Sequence, residues 1–231
     1  TLEFTAKTIV KASLLGDVRN LSEDQLVLPL RMPGPLEPFE RDPPSSAEQE
    51  LRRQLRDFVR RAYQQRLFIS TVGSFSARLD DDSFVITPHR CDRHQVDVQD
   101  FVLVRNGRRE SDKLPSHATR NHRAIYQRHP AVRAVVNAYP VNATAFAVTS
   151  GPLDTRTIPE SYLLLRDVAR VEFGKQFVDG AELATRVSPR QPIALLENDG
   201  VLVCGTSVLD AFDRLEVLEA TSEALINSRA L

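Results

Sequence analysis

The stretch Ile193-Ala194-Leu195-Leu196-Glu197-Asn198-Asp199-Gly200-Val201-Leu202-Val203-Cys204-Gly205 constrains the fold of this chain more than any other. Two short apolar runs flank Asn-Asp-Gly, so the segment reads as a strand pair folded around a tight turn. The same reading applies to residues 101–107, FVLVRNG, where Asn106-Gly107 is a strong hairpin signal. Further strands are expected at 67–72 (LFISTV), 76–79 (SARL) and 83–87 (SFVIT). Between them lie helical patterns: one opening with a Ser46/Gln49 capping box, one from about Ser116 to Arg128, a short one after Pro140, and one opening at Ser207 with Asp210 as capping partner. Strands joined by tight hairpins and interleaved with helices predict an α/β fold with a mixed, mostly antiparallel central sheet covered by helices.

At 231 residues and 42% hydrophobic content the chain can bury a full core. A formal net charge of −1 argues against binding nucleic acid or a membrane surface, since it would not attract polyanions. No apolar run approaches the ~20 residues of a membrane span. Cys91 and Cys204 are two isolated thiols in a chain too large to need stapling. They favour a reducing compartment, and a cytoplasmic location is expected.

Residues 1–28 are expected to form a helical segment, with Leu2, Thr5, Ile9, Ala12 and Leu15 on one face and Gly16 as a C-cap. Laid over residues 217–231, the first fifteen residues match at Leu2, Glu3, Thr5 and Leu15. Two readings stay open: the end of a preceding repeat, or an ordinary N-terminal helix. Residues 29–45 contain Pro29, Pro33, Pro35, Pro38, Pro43 and Pro44 and are expected to be an extended linker. A domain over residues 46–231 follows. Its first helix carries an apolar stripe of Leu51, Leu55, Phe58, Val59 and Ala62, and Arg52, Arg53, Arg56, Arg60 and Arg61 are expected to form a solvated face.

The order of these segments resembles the class II aldolase/adducin family. The resemblance rests on Val72-Gly73-Ser74-Phe75-Ser76-Ala77-Arg78, Phe84-Val85-Ile86-Thr87-Pro88, Pro115-Ser116, His122-Arg123-Ala124-Ile125-Tyr126, His129-Pro130-Ala131-Val132, residues 131–147 (AVRAVVNAYPVNATAFA) and residues 193–206 (IALLENDGVLVCGT). It covers roughly residues 50–231. It implies a three-layer α/β/α domain that assembles as a cyclic tetramer with active sites at subunit junctions. In the family's aldolases a divalent metal such as zinc polarises a sugar phosphate while a glutamate moves protons. The segments that carry His-x-His and Asn-His-Gly in those enzymes hold Asn137, Tyr139 and Asp199 here, and the glutamate position holds Ala118. A family metal site is therefore not expected, and no cofactor is. The segment Thr157–Tyr162 with Glu197-Asn198-Asp199 departs from the usual pattern and points to a separate branch.

What the resemblance leaves is a polar pocket. Gly73, Ser74 and Ser76 match the family's phosphate-cradling turn, and Thr87, Pro88 and Ser116 match its neighbours, with Arg90 and His117 adding positive charge. Asn137 is expected to line the same pocket. Gly73 and Ser76 can equally serve the turn alone. Glu160, Asp199 and Tyr139 are the candidate acid–base groups, with Glu197 a further carboxylate. His89, Cys91, Asp92 and His94 crowd one loop, yet without a C-x-x-C or His-x-His core they do not make a zinc motif. His122 reads as a satisfied core histidine, and His129 as a helix-end cation.

Two functions compete. One is a sugar-phosphate-binding or assembly module that self-associates as a tetramer or pseudo-tetramer, with a tandem-repeat variant in which it completes the active site of a catalytic partner repeat. The other is an active sugar-phosphate aldolase or related carbonyl–lyase working from a non-standard site.

Overall fold

A computed structural model describes residues 5–7, 27–29, 35–178 and 180–229. In chain order the strands are β1 (Thr5–Lys7), β2 (Val27–Pro29), β3 (Pro38–Phe39), β4 (Ser74–Arg78), β5 (Ser83–Ile86), β6 (Val102–Arg105), β7 (Arg108–Glu110), β8 (Ala134–Ala138), β9 (Ala169–Val171), β10 (Ile193–Leu196) and β11 (Val201–Gly205). The helices are α1 (Ser46–Gln64), α2 (Thr119–Arg128), α3 (Val141–Ala147), α4 (Pro159–Leu165), α5 (Lys175–Val178), α6 (Gly180–Thr185) and α7 (Val208–Ser228).

Nine strands form one sheet in the order β3-β7-β6-β5-β4-β8-β11-β10-β9. Six of its eight pairings are antiparallel, and only the two outermost, β3 with β7 and β9 with β10, are parallel. The sheet is thus mixed and mostly antiparallel, as the two hairpin signals require. Alternation along the strands divides the core in two. Phe75, Ala77, Val85, Leu103, Val136, Ile193 and Val203 face α1, α3 and α7, meeting Leu55, Val59, Phe212 and Leu215. Phe84, Ile86, Val104, Val135, Ala194, Leu202 and Cys204 face α2 and α6, meeting Ile125, Tyr126 and Leu183. The result is a three-layer α/β/α arrangement.

β4 breaks this apolar pattern. Its α2-facing positions are Ser74, Ser76 and Arg78, all buried, and the neighbouring β8 adds Asn137 opposite Ser74. A polar seam therefore runs through the middle of the sheet under α2.

Several expectations need correction. Thr5–Lys7 is a strand paired antiparallel with Val27–Pro29, not part of a helix; the rest of residues 1–15 lies outside the described residues. The Pro-rich segment adds a parallel edge strand, β3, beside β7. Prolines are tolerated there because an edge leaves one side of the backbone unpaired. Residues 67–72 form a turn rather than a strand. Arg66 and Ser70 take positive φ (61° and 51°), which breaks extended pairing down to the single bridge Ile69–Val72. The N-cap of α1 is Ser45, one residue earlier than read, and its Oγ accepts from the Glu48 amide at 3.2 Å. Arg52 is not on a solvated face. It is 2% exposed, pairs with Glu48 and Glu110, and donates to the Phe101 carbonyl. α2 begins at Thr119 because Ser116 spends its hydroxyl and carbonyl on a turn that precedes the helix.

Candidate functional site

The loops that follow β3-side strands build the first half of the site. Gly73 has φ +104°, and a Cβ there would sit 2.5 Å from the Phe68 ring, so the turn into β4 demands glycine. Ser74 Oγ lies 3.3 Å from Thr87 Oγ1, which also accepts from the Phe75 amide at 3.2 Å. The Ser116 amide donates to the Thr87 carbonyl at 3.0 Å, and the His89 amide to Leu114 at 2.8 Å. Together with the Pro88–Pro115 bridge, these bonds stitch the loop after β5 to the loop before α2. Gly73, Ser74, Thr87 and Ser116 are thus brought together, as are His89 and His117, whose rings meet edge-on at 4.3 Å. Arg90 sits beside them, exposed and with φ 52°.

Beneath this ribbon lies Arg93, 2% exposed. It donates to the carbonyls of Gly73 (3.0 Å), Cys91 (3.1 Å) and Pro88 (3.1 Å), fixing the glycine turn to the loop. Burial lowers its pKa to about 10, so it stays charged at neutral pH.

The polar seam continues inward. Burial drops the His122 pKa to about 4, so its imidazole is neutral. Its Nε2–H donates to Asn137 Oδ1 at 2.8 Å, and its Nδ1 accepts from Ser76 at 2.7 Å. Tyr126 donates to Ser76 Oγ, also at 2.7 Å. His122 and Tyr126 are one turn apart on α2 and so share the face that meets β4 and β8. Ser76 is fully buried in this chain of bonds and serves the interior rather than the anion turn.

A second polar chain lies at the end of β8. Gln176 Nε2 donates to Asp199 Oδ2 at 3.2 Å, and the Tyr139 phenol lies close enough to that carboxylate to act on its ionisation. Asn121 Nδ2 in turn donates to the Gln176 carbonyl at 2.9 Å. Gly200 makes the approach possible: a Cβ there would meet the Ala138 carbonyl at 2.3 Å and the Tyr139 ring at 2.9 Å. Burial raises the Asp199 pKa, partly offset by the bonds from Gln176 and Tyr139. Burial, then the Asp199 charge, raises that of Tyr139 well above the usual phenol range. Asn137 and Asp199 are thus held by bonds to α2 and α5, and Tyr139 lies beside Asp199 just past the end of β8.

Other candidates lie elsewhere. Glu160 is exposed in the first turn of α4, a helix that packs on α7. Glu197 is half-buried 4.0 Å from Arg170. In the loop after β5, Cys91 Sγ points to the Asp92 carbonyl and His94 packs on Tyr63. Among the described residues no three His, Cys, Asp or Glu side chains are grouped to hold a metal. The three positions that the resemblance maps onto metal ligands are engaged within the protein: Asn137 Oδ1 accepts from His122, Tyr139 is held as a neutral phenol, and Asp199 accepts from Gln176.

Sequence reasoning missed Arg93, Gln176 and Asn121. Arg93 looks like one more polar loop residue, and nothing local marks it as buried. The His122/Tyr126 spacing was a usable signal, since residues four apart on a helix share a face.

The family model described as "Class II Aldolase and Adducin N-terminal domain" matches residues 53–226. Among curated proteins, a 3-oxo-tetronate 4-phosphate decarboxylase of Haemophilus influenzae is 30% identical over 186 residues, covering 77% of this chain and 86% of the relative. An L-fuculose phosphate aldolase of Methanococcus maripaludis is 27% identical over 163 residues, covering 70% and 88%. Among solved structures, YgbL from Escherichia coli superposes with a TM-score of 0.67 at 26% identity, covering 78% of this chain and 90% of that one. The L-fuculose-1-phosphate aldolase of Thermus thermophilus gives 0.66 at 23% identity and 79% and 97% coverage, a likeness of fold alone.

Proposed function

Because the chain belongs to the class II aldolase and adducin N-terminal domain family, we propose that it is a sugar-phosphate-binding domain that works without the family metal and self-associates. The observation that carries this reading is a split within the site. The anion turn has its glycine and the Ser74 and Thr87 hydroxyls, and Arg93 braces it through the Gly73 carbonyl. The positions mapped onto the metal ligands, by contrast, meet His122 and Gln176 in hydrogen bonds. Binding is retained and Lewis-acid chemistry is not. A repeat of this kind binds phosphate by itself, or completes the active site of a catalytic partner repeat at a subunit junction. A cytoplasmic location goes with its two free thiols.

The test is calorimetric titration with ketose phosphates, L-fuculose 1-phosphate first, alongside elemental analysis. Saturable binding that survives chelator, with no stoichiometric zinc and an unchanged Tm, is the expected result. Stoichiometric zinc, or a Tm that falls in chelator, would overturn it.

One observation favours a second reading, an active carbonyl–lyase. Asp199 is a buried carboxyl with a raised pKa beside a neutral phenol, an arrangement suited to proton transfer. Asp199 would take a proton from the carbon beside the substrate carbonyl, while the Tyr139 O–H donates to the oxygen that becomes the enediolate. Deuterium incorporation into a ketose phosphate in D₂O, lost in Asp199→Asn, would establish this reading. Absence of exchange in the unmodified protein leaves the binding reading alone.

A further inference from the structure

The buried chain of bonds under α2 has a direction, and that direction decides what the cleft can select. Its members are Tyr126, Ser76, His122 and Asn137, linked at 2.7, 2.7 and 2.8 Å. The first three are buried, whereas Asn137 is half-buried. Among the described residues the Tyr126 hydroxyl meets only Ser76. If the chain ran from Asn137 towards Tyr126, Ser76 would donate to the phenol oxygen. The phenol O–H would then be buried without an acceptor, an arrangement that folded proteins avoid. Run the other way, every buried donor is paired. Tyr126 donates to Ser76, Ser76 donates to His122 Nδ1, and the single N–H of the neutral imidazole, at Nε2, donates to Asn137 Oδ1. The oxygen of the Asn137 amide is thereby engaged inside the protein. Its Nδ2 group has no acceptor among the described residues, and Asn137 is the member of the chain that solvent reaches. Asn137 stands opposite Ser74 in the register of β8 with β4, which puts it beside the turn into β4.

From this direction we infer that Asn137 is a specificity-determining residue of the cleft: its amide N–H meets the carbonyl oxygen of a ketose phosphate and selects it over the corresponding alcohol. The inference rests on the sugar-phosphate-binding reading above. A carbonyl oxygen only accepts, which is what the Nδ2 group requires. A hydroxyl in its place can accept the same bond, but its own O–H then finds no acceptor on this amide, because Oδ1 is held by His122. An O–H left unpaired in a half-buried site lowers affinity. Tyr126, Ser76 and His122 are positioning residues. They keep the amide from turning its oxygen to the cleft, the rotation that would reverse the preference.

Dihydroxyacetone phosphate and glycerol 3-phosphate are the probes, because they differ in a carbonyl against a hydroxyl and carry the same phosphate. Affinities are read by calorimetric titration of the full chain. The His122 tautomer and the Asn137 side-chain amide are read by nitrogen NMR of the isotope-labelled protein. His122 should carry its proton on Nε2, and the ketone should shift the Asn137 amide signals. The ketone should also bind at least about fivefold more tightly than the alcohol. Asn137→Asp keeps an acceptor for His122 and turns a second acceptor to the cleft, so the alcohol should become the preferred ligand. Its added charge repels both phosphates alike and cancels in the ratio of affinities. Asn137→Leu removes the donor and should abolish the preference, which gives a reading if the aspartate variant does not fold. A purely structural Asn137 would weaken both ligands equally and leave the ratio unmoved. A His122 proton on Nδ1, equal affinities in the unmodified protein, or a ratio that survives substitution overturns the assignment and leaves the binding reading standing. If neither phosphate binds the unmodified protein, the binding reading falls with it.

Discussion

His122 shows what one buried side chain does to the pH response of the whole domain. In the folded protein it titrates near 4, and in the unfolded chain near 6.5. The folded value is depressed, so its contribution to stability is full above about 6.5 and is lost as pH falls toward 4. Unfolding free energy should therefore drop by up to ~3 kcal/mol across that window, and His122→Gln should flatten the slope while lowering stability overall. Chemical denaturation at a series of pH values checks this, and a wild-type slope unchanged by the substitution would count against it. Asp199 has the opposite sign. Its folded pKa is raised, so its carboxyl favours folding below the ordinary carboxylate pKa and costs stability as pH rises through the folded value. Asp199→Asn keeps an acceptor for Gln176 and removes the charge. At neutral pH it should be at least as stable as the parent by thermal melting; a clearly lower Tm would mean the carboxylate is better solvated than its burial implies.

At the scale of the elements, the turn into β4 is the most demanding piece of backbone near the site. Gly73→Ala must place a Cβ into the Phe68 ring while holding φ at +104°. A cost of ~2–3 kcal/mol is expected from strain and overpacking, with loss of sugar-phosphate binding. Arg93→Met tests the same turn from below. It strips donors from three carbonyls, so a destabilisation of ~2–4 kcal/mol should accompany weaker anion binding. Equilibrium unfolding with parallel binding titrations reads both. A Gly73→Ala protein with unaltered stability and affinity would show that the turn does not need its left-handed residue.

At the scale of the whole molecule, Ile69, Val72, Leu114 and Val141 are all between 43% and 52% exposed. The turn that carries the first two accepts the Tyr139 amide at the Leu67 carbonyl, and Val141 opens the helix after Tyr139. Apolar side chains thus rim the mouth of the site, where water exposure is unfavourable. A ring-like oligomer with fourfold or pseudo-fourfold symmetry is expected in sedimentation, and Ile69→Asp/Val72→Asp should shift it toward monomer. A monodisperse monomer at all concentrations would remove the assembly role.

Local chemistry was sufficient for much of this protein. Asn106-Gly107 and Asn198-Asp199-Gly200 announced the hairpins, because tight turns need residues that tolerate left-handed backbone. The 3.6-residue stripe placed α1, and ordered framework segments pointed to the fold. Residues whose roles depend on distant partners were not legible in this way. Arg52 looked solvated until β6 and β7 brought Phe101 and Glu110 against it. Arg93 looked like a loop residue until the Gly73 carbonyl, from a distant turn, and the Pro88 and Cys91 carbonyls of its own loop closed around it. Asn137 and Asp199 could be read as replaced ligands, but their inward bonds to His122 and Gln176 exist only once α2 and α5 pack on the sheet. The sequence determines which backbone conformations are cheap within a few residues. Burial, and the hydrogen bonds and pKa values that follow from it, are set by neighbours far away along the chain, so only the tertiary structure decides them.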